Sequence, residues 1–327
     1  MRAVQTESKQ VGFVNWFRRH WDVMMPLMGL ILLLVVAGIA IPGFLSINHI
    51  ADLSRKATAL IFVSIGQTLV IMLGNGSMDV SVGALITLVN VIAVGLLSGG
   101  LGNLVAVSLL CIAIGLLVGM INGLVIRRLR TAPFIVTLGT MSILTGLALL
   151  YTKGAPRGSA PSLLRYVATG RIGGLVPIST LIWVGIALVI HYFMAHTVFG
   201  RRVRATGDNA VAAYFSGIRV DNIWIVVYSL SGGLAAVAGL ILTGYIGSGS
   251  LGIGAPYMFD SVIAAVLGGA SFAGGKGNVG GAIIGALILT ILVSFLTVLN
   301  IAEAGRSIMQ GLILILILLW SSRPEED

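Results

Sequence analysis

Charge is scarce in this sequence: Lys, Arg, Asp and Glu together make up 9% of it, against about 25% in an ordinary soluble domain. A water-facing surface of normal polarity is therefore excluded. Cys111 is the one cysteine, so no disulfide can close within the chain and no thiolate metal cluster can form. Its place inside an apolar run marks it as a helix-packing residue. The four histidines, His20, His49, His191 and His196, lack metal-ligand spacing, and no Ser, His and acid set fits a catalytic triad. "GGKGNVGG" offers Gly275, Gly277 and Gly280 at GxGxxG spacing but follows no strand. It fails as a phosphate loop because Ala270 and Gly277 stand where Gly and Ser or Thr are required. The expectation is a chain that is not an enzyme, with no catalytic residues, cofactor or metal.

What is abundant is apolar surface. With 57% hydrophobic residues and a mean hydropathy of +1.05, the chain carries more than a soluble core could hide, and reads as an all-α polytopic membrane protein. Its 44 glycines and 8 prolines suit transmembrane helices. Runs able to cross about 30 Å of hydrocarbon fall near 24–45, 57–74, 83–98, 103–126, 134–152, 178–196, 222–245, 257–271, 279–300 and 306–320, about ten transmembrane helices. The third and eighth are short, as broken or re-entrant segments are.

The net charge of +9 does not mark a nucleic-acid binder, because the basic residues cluster at the ends of apolar runs. With both termini cytoplasmic, 13 Lys and Arg fall inside and 7 outside, the positive-inside bias. Arg18, Arg19 and His20 precede the first run, which reads as a retained signal anchor. The organisation expected is a cytoplasmic N-terminal segment over 1–23, one permease domain over 24–320 with a cytoplasmic loop at 199–222, and a cytoplasmic tail over 321–327.

Pairing helices one to five with six to ten gives two inverted five-helix repeats, an arrangement known in transporters. Two features line up under it. Gly115, Gly119 and Gly123 match Gly277, Gly281 and Gly285 in GxxxGxxxG spacing, which brings helix backbones close, and "GNGSMDVSVGA" after the second run matches "GSGSLGIGAP" after the seventh. With so many glycines, chance produces such matches as readily as descent.

Asp79 stands among glycines and small polar residues where an apolar helix would otherwise continue. It is either an N-cap for a helix beginning near Val80 or a pathway or gate residue, since intramembrane acids are functional candidates; capping is the favoured reading. Asn75, Ser77, Ser81, Asn90 and Asn122 are uncharged donors and acceptors suited to a neutral, hydroxyl-rich solute. Asp260 is another candidate, either capping the eighth run or contacting its neighbours.

The connection "FGRRVRATGDNAVAAYFSGIRVDNIW" contains a short helix over Asp208 to Ser216, with Asp and Asn at its start, alanines within and Gly217 at its end. Lying between arginine clusters, it reads either as a surface loop or as a docking element for a cytoplasmic partner.

Four ordered motifs carry a resemblance that runs nearly end to end. They are "SMDVSVG" from Ser77 to Gly83, "NGLVIRRLRTAPFIVTLGT" from Asn122 to Thr140, "GRRVRATGDNAVAAYFSGI" from Gly200 to Ile218, and "DSVIAAVLGGASFAGGKGNVGG" from Asp260 to Gly281. The chain resembles the permease subunits of bacterial ATP-binding-cassette importers of the ribose and related monosaccharide type. The resemblance implies a multi-pass permease of the inner (cytoplasmic) membrane, in contact with membrane lipid. It pairs with a second permease copy, identical or not, with cytoplasmic ATP-binding subunits and with a periplasmic sugar-binding protein that meets the outer face near Lys153 to Val176. Phe134 and Thr137 join the pathway set through the second motif, and Gly207, Asp208, Asn209, Ala212, Ala213, Ser216 and Gly217 form the coupling helix. Gly74 to Met78 departs from the family's shorter Gly-Gly-Ile before the aspartate. Alternative cargoes are a nucleoside, a polyol or a signalling furanose, and alternative classes are an ion-coupled secondary transporter and a neutral-solute channel.

Overall fold

The computed structural model describes residues 21–97 and 104–321. The basic residues from Arg2 to Arg19 and Arg323 lie outside them, as does most of the expected tail. Helices dominate: α1 (Trp21–Ala40), α2 (Ile47–Ile71), α3 (Val82–Leu97), α4 (Leu104–Leu129), α5 (Pro133–Thr152), α6 (Ser162–Thr169), α7 (Ile178–His196), α8 (Val198–Asp208), α9 (Ala210–Phe215), α10 (Val220–Ile246), α11 (Tyr257–Leu267), α12 (Val279–Val298) and α13 (Glu303–Ser321). A small antiparallel pair, β1 (Arg171–Ile172) and β2 (Val176–Pro177), joins α6 to α7. Five of these, α4, α5, α7, α10 and α12, are long and apolar enough to cross a membrane, which makes this a multi-pass membrane protein.

Two helices form the core. Every residue from 57 to 74 is buried, the polar Thr58, Ser64, Gln67 and Thr68 among them. α10 packs on α2, α3 and α4 and encloses Ser231, Gly232, Ala235, Ala236 and Ala238. Outer helices turn apolar faces outward, with Leu109 of α4, Leu150 of α5 and Leu188 of α7 exposed. α4 reaches α10 through its glycines: a methyl on Gly119 would overlap the Tyr228 carbonyl, and one on Gly123 would stand 2.7 Å from Ile225 Cα. In the same way Gly281 and Gly285 of α12 meet the carbonyls of Gly268, just past α11, and of Ala264 within it. Gly277 does not take part in that seam, because it precedes the helix at φ +148°.

The second helix begins at Ile47, ten residues before the expected 57. Its charged first turns remain helical because Asp52 is shared, 2.8 Å from Arg55 and 2.9 Å from Arg171. α11 stops at Leu267 rather than 271, since Gly268 and Gly269 follow and Gly269 has φ +89°. The third and eighth runs are indeed short. At 16 and 11 residues they span about 24 Å and about 16 Å at 1.5 Å per residue, less than the hydrocarbon core. The first turn of α3 meets the segment leading into α11: a methyl on Gly83 would stand 2.6 Å from the Gly254 carbonyl.

Candidate functional site

After α2 the chain turns through Gly74, Asn75 and Gly76 at φ +75°, +56° and +65°. Glycine and asparagine enter this left-handed region at least cost. Ser77 closes the turn, with both its amide and its hydroxyl donating to the Gly74 carbonyl. The extended stretch that follows delivers Asp79 to the middle of the bundle, 1% exposed.

A buried carboxylate must have its lone pairs filled, and here donors from two segments converge. Oδ1 accepts from the Ser81 amide at 3.1 Å and the Ser81 hydroxyl at 2.6 Å; Oδ2 accepts from the Ser231 hydroxyl of α10 at 3.2 Å. The Gln67 carboxamide of α2, oriented so that donors meet acceptors, donates to the Asp79 carbonyl at 3.3 Å and accepts from its amide at 3.2 Å. Helix α3 starts at Val82, and Ser81 sits at its cap position, its carbonyl accepting from the Leu85 amide at 2.9 Å. Asp79 therefore lies two residues ahead of the cap, and rather than capping a helix at Val80 it fastens the start of α3 to α10.

The network continues outward. Asn122 Nδ2 of α4 donates to the Ser81 hydroxyl at 3.0 Å, and the Thr140 hydroxyl of α5 donates to Asn122 Oδ1 at 2.6 Å. Tyr228 donates to the Met78 carbonyl at 3.3 Å, and Thr137 lies 3.5 Å from the same oxygen. Of the expected pathway residues, Ser77, Asp79, Ser81, Asn122 and Thr137 are thus brought together, buried and paired with protein groups. The others lie apart. Asn90 of α3 donates to Thr243 at 3.0 Å and to the Ser248 carbonyl at 3.2 Å, and accepts from the Ser250 amide at 2.7 Å. Asp260 of α11 accepts from Gln310 of α13 at 3.2 Å, while Asn75 and Phe134 are exposed.

Sequence reasoning missed Gln67, Thr140, Tyr228 and Ser231. Each is one of several polar residues scattered along a largely apolar helix, a weak signal that acquires meaning only once its partner is known.

The connection over 199–222 also differs from the single helix expected. Asp208 ends α8, and Asn209 alone caps α9, accepting from Val211 and Ala212 amides at 3.0 and 2.9 Å. Gly217, at φ +83°, ends the segment, with the Ile218 amide donating to the Ala213 carbonyl at 3.0 Å. Asp208, Asn209, Ala212, Ser216 and Gly217 are exposed, but Gly207 and Ala213 are buried against the chain's own body. The outward face instead carries Val211, Tyr214 and Phe215, the last 82% exposed. Arg201, Arg202 and Arg219 are exposed on either side.

Among the described residues no group of three or more His, Cys, Asp or Glu is placed to hold a metal ion. What the arrangement can do is mechanical: hydrogen bonds tie α2, α4, α5 and α10 to the loop that leads into α3, and α9 leaves one small apolar face free.

Comparison with known proteins gives this geometry its setting. Residues 49–318 match the family described as branched-chain amino acid transport system / permease component. The chain is 36% identical over 320 residues to the ribose import permease protein RbsC of Bacillus subtilis (strain 168), covering 97% of this chain and 96% of that one. It is 32% identical over 325 residues to RbsC of Escherichia coli (strain K12), covering 97% and 99%. Identity to the autoinducer 2 import system permease protein LsrC of Yersinia pseudotuberculosis serotype O:3 (strain YPIII) is 33% over 297 residues, covering 91% and 84%. No solved structure matches. With a family match over most of its length and relatives aligned nearly end to end, the chain belongs to the permease family of ATP-binding-cassette importers.

Proposed function

We propose that this chain is the membrane-spanning subunit of an ATP-driven importer of a ribose-class monosaccharide, forming the sugar's path by alternating access in the bacterial inner membrane. The observation that carries the reading is the capped helix α9, which presents Val211, Tyr214 and Phe215 between arginines. A small apolar face rimmed by charge fits a groove on a partner protein, and the partner that family membership implies is a cytoplasmic ATP-binding subunit. A second permease copy and a periplasmic sugar-binding protein complete the assembly. The outer connection is suited to the latter, since Lys153, Arg157 and Arg165 are exposed there and residues 153–176 contain no acid.

The finer architecture we read as ten spans in two inverted halves with both termini cytoplasmic. α4 packs on α10 as α12 packs on α2, α3 packs on α10 as α11 packs on α2, and α2 and α10 pack on each other, as an exchange of halves requires. The short α3 and α11, joined where Gly83 of α3 meets Gly254 in the segment before α11, serve as the broken helices of the two halves. Alternate opening would have to rearrange the contacts between them, and that is where Ser77, Asp79, Ser81, Asn122 and Thr137, with Asn90 and Asp260, would act on the path. Ion coupling fits less well. Asp79 and Asp260, the acids expected on the path, are both already hydrogen-bonded within the chain.

Reconstitution with the ATPase partner and the binding protein tests the reading. ATP inside the vesicles with respect to the ATPase should drive ribose uptake, and an ion gradient alone should not. Uptake that follows an imposed ion gradient without the ATPase would replace the importer reading with a secondary transporter.

A further inference from the structure

Where α8 ends, three main-chain segments converge, with the Asp208 carboxylate lying against Gly275 at their edge. The Met72 carbonyl, just past α2, accepts from the Gly275 amide in the α11–α12 connection at 2.9 Å. Gly207, in the last turn of α8, presses on the same place: a methyl there would overlap the Met72 carbonyl and stand 2.5 Å from the Gly275 nitrogen. Gly74 closes the group, since its built β-carbon lies 3.0 Å from the Ala273 carbonyl, 3.1 Å from the Gly207 carbonyl and 3.2 Å from Gly274 Cα.

Contacts of this kind transmit displacement. Side chains absorb small movements by changing rotamer, whereas close-packed backbone has no such slack. Each segment leads somewhere different. Gly207 is joined through Asp208 to the Asn209 cap of α9, Gly74 begins the turn that delivers Asp79, and the residues around Gly275 connect α11 to α12. Asp79 is in turn held by α2, α3 and α10, and the segment before α11 abuts α3 at Gly83.

We infer that the backbone contact of Gly74, Gly207 and Gly274 is the positioning device that carries a displacement of α8 and α9 to the Asp79 loop and to α11 at once. The inference rests on reading α9 as the ATPase contact. It gives the unusual Gly-Asn-Gly turn a task, because a β-carbon at position 74 would press on both neighbouring segments at 3.0 to 3.2 Å.

Gly76 supplies the control. It has nearly the same φ as Gly74, +65° against +75°, but a β-carbon built on it meets nothing within 4 Å. Gly74→Ala and Gly76→Ala therefore impose similar backbone strain, and only the first crowds the contact. The measurement is amide hydrogen exchange on the complex with its ATPase in lipid nanodiscs, before and after ATP with vanadate. In the parent, segments 73–79, 205–209 and 273–277 should change together, and Gly76→Ala should do the same. Gly74→Ala should retain the ATPase and the change at 205–209, while its response at 77–81 falls by about fivefold or more, the range that mutations along a coupling route produce. Equal responses in the two variants would overturn the inference. So would a change at 205–209 in the parent that leaves the other two segments unmoved, a result that does not depend on either variant assembling. A parent chain that captures no ATPase would instead remove the reading of α9, and this inference with it.

Discussion

Ser231 donates its hydroxyl hydrogen to Oδ2 of Asp79 across 3.2 Å, joining the middle of α10 to the loop that starts α3. The other carboxylate oxygen is taken up by Ser81. Removing the acid would leave three buried donors facing nothing, so the cost of losing Asp79 is set by its neighbours more than by its own charge.

Asparagine should be tolerated at this position. Its Oδ1 can keep both Ser81 bonds, and its Nδ2 can donate to the Ser231 oxygen, which accepts as readily as it donates. Alanine leaves the Ser81 amide, the Ser81 hydroxyl and the Ser231 hydroxyl unpaired, at a cost of about 3 kcal/mol. Melting in detergent should show Asp79→Asn near the parent and Asp79→Ala well below it, with ATP-driven uptake following stability. An asparagine variant that is stable and assembled yet inactive would assign the charge itself to the transport cycle.

The Thr140 hydroxyl fills Asn122 Oδ1 at 2.6 Å. Thr140→Val keeps the shape and removes the donor, so about 1 kcal/mol of stability should be lost. In Asn122→Ala the same Thr140 change should cost much less, because its acceptor is already gone. Equal losses in both backgrounds, read by a double-mutant cycle, would mean that the bond contributes nothing.

How far these contacts could be read in advance depends on their range along the chain. The turn at Gly74 to Gly76, the glycine seam of α4 and the end of α9 at Gly217 are local, and residue types alone point to them. The early start of α2 was hidden because Asp52 finds part of its compensation in Arg171, 119 positions away. The sequence around Asp79 points to a cap because capping is the local use of an aspartate, whereas Ser231 is distant in sequence and resembles any other serine on an apolar helix. On α9 the alanines are the local signal of a contact face, yet burial by the rest of the chain turns Ala213 inward and leaves Phe215 outside.

The seam between α4 and α10 predicts an asymmetry among glycines. Gly119→Ala must push its methyl into the Tyr228 carbonyl, so the helices separate and stability should fall by about 2 kcal/mol or more, the scale of overpacking. Gly139→Ala on α5 meets nothing within 4 Å and should gain slightly from the better helix propensity of alanine. Equal melting temperatures for the two variants would contradict the close approach.

Sidedness can be read with single cysteines in a Cys111→Ala background. Ser216 and Arg165 are both exposed, and the Lys and Arg distribution assigns Ser216 to the cytoplasm and Arg165 to the outside. An impermeant thiol reagent added to right-side-out vesicles should label Arg165→Cys and spare Ser216→Cys, with the order reversed in inverted vesicles. Labelling of both from one side would remove the ten-span arrangement.

The face of α9 gives the sharpest separation of stability from docking. Phe215 is 82% exposed and Ala213 4% exposed, two residues apart on one helix. Ala213→Asp would bury a carboxylate inside the chain without a partner, so it should unfold α9 and lower the melting temperature of the isolated permease. Phe215→Asp changes a side chain that touches little of its own chain, so the isolated permease should melt like the parent. If Phe215 is an anchor in the ATPase groove, the same change should cost about 2 kcal/mol of binding, or roughly thirtyfold in Kd. Titrating purified ATPase onto permease in nanodiscs measures this directly. A Phe215→Asp variant that binds the ATPase as tightly as the parent would show that the apolar face of α9 is not the contact.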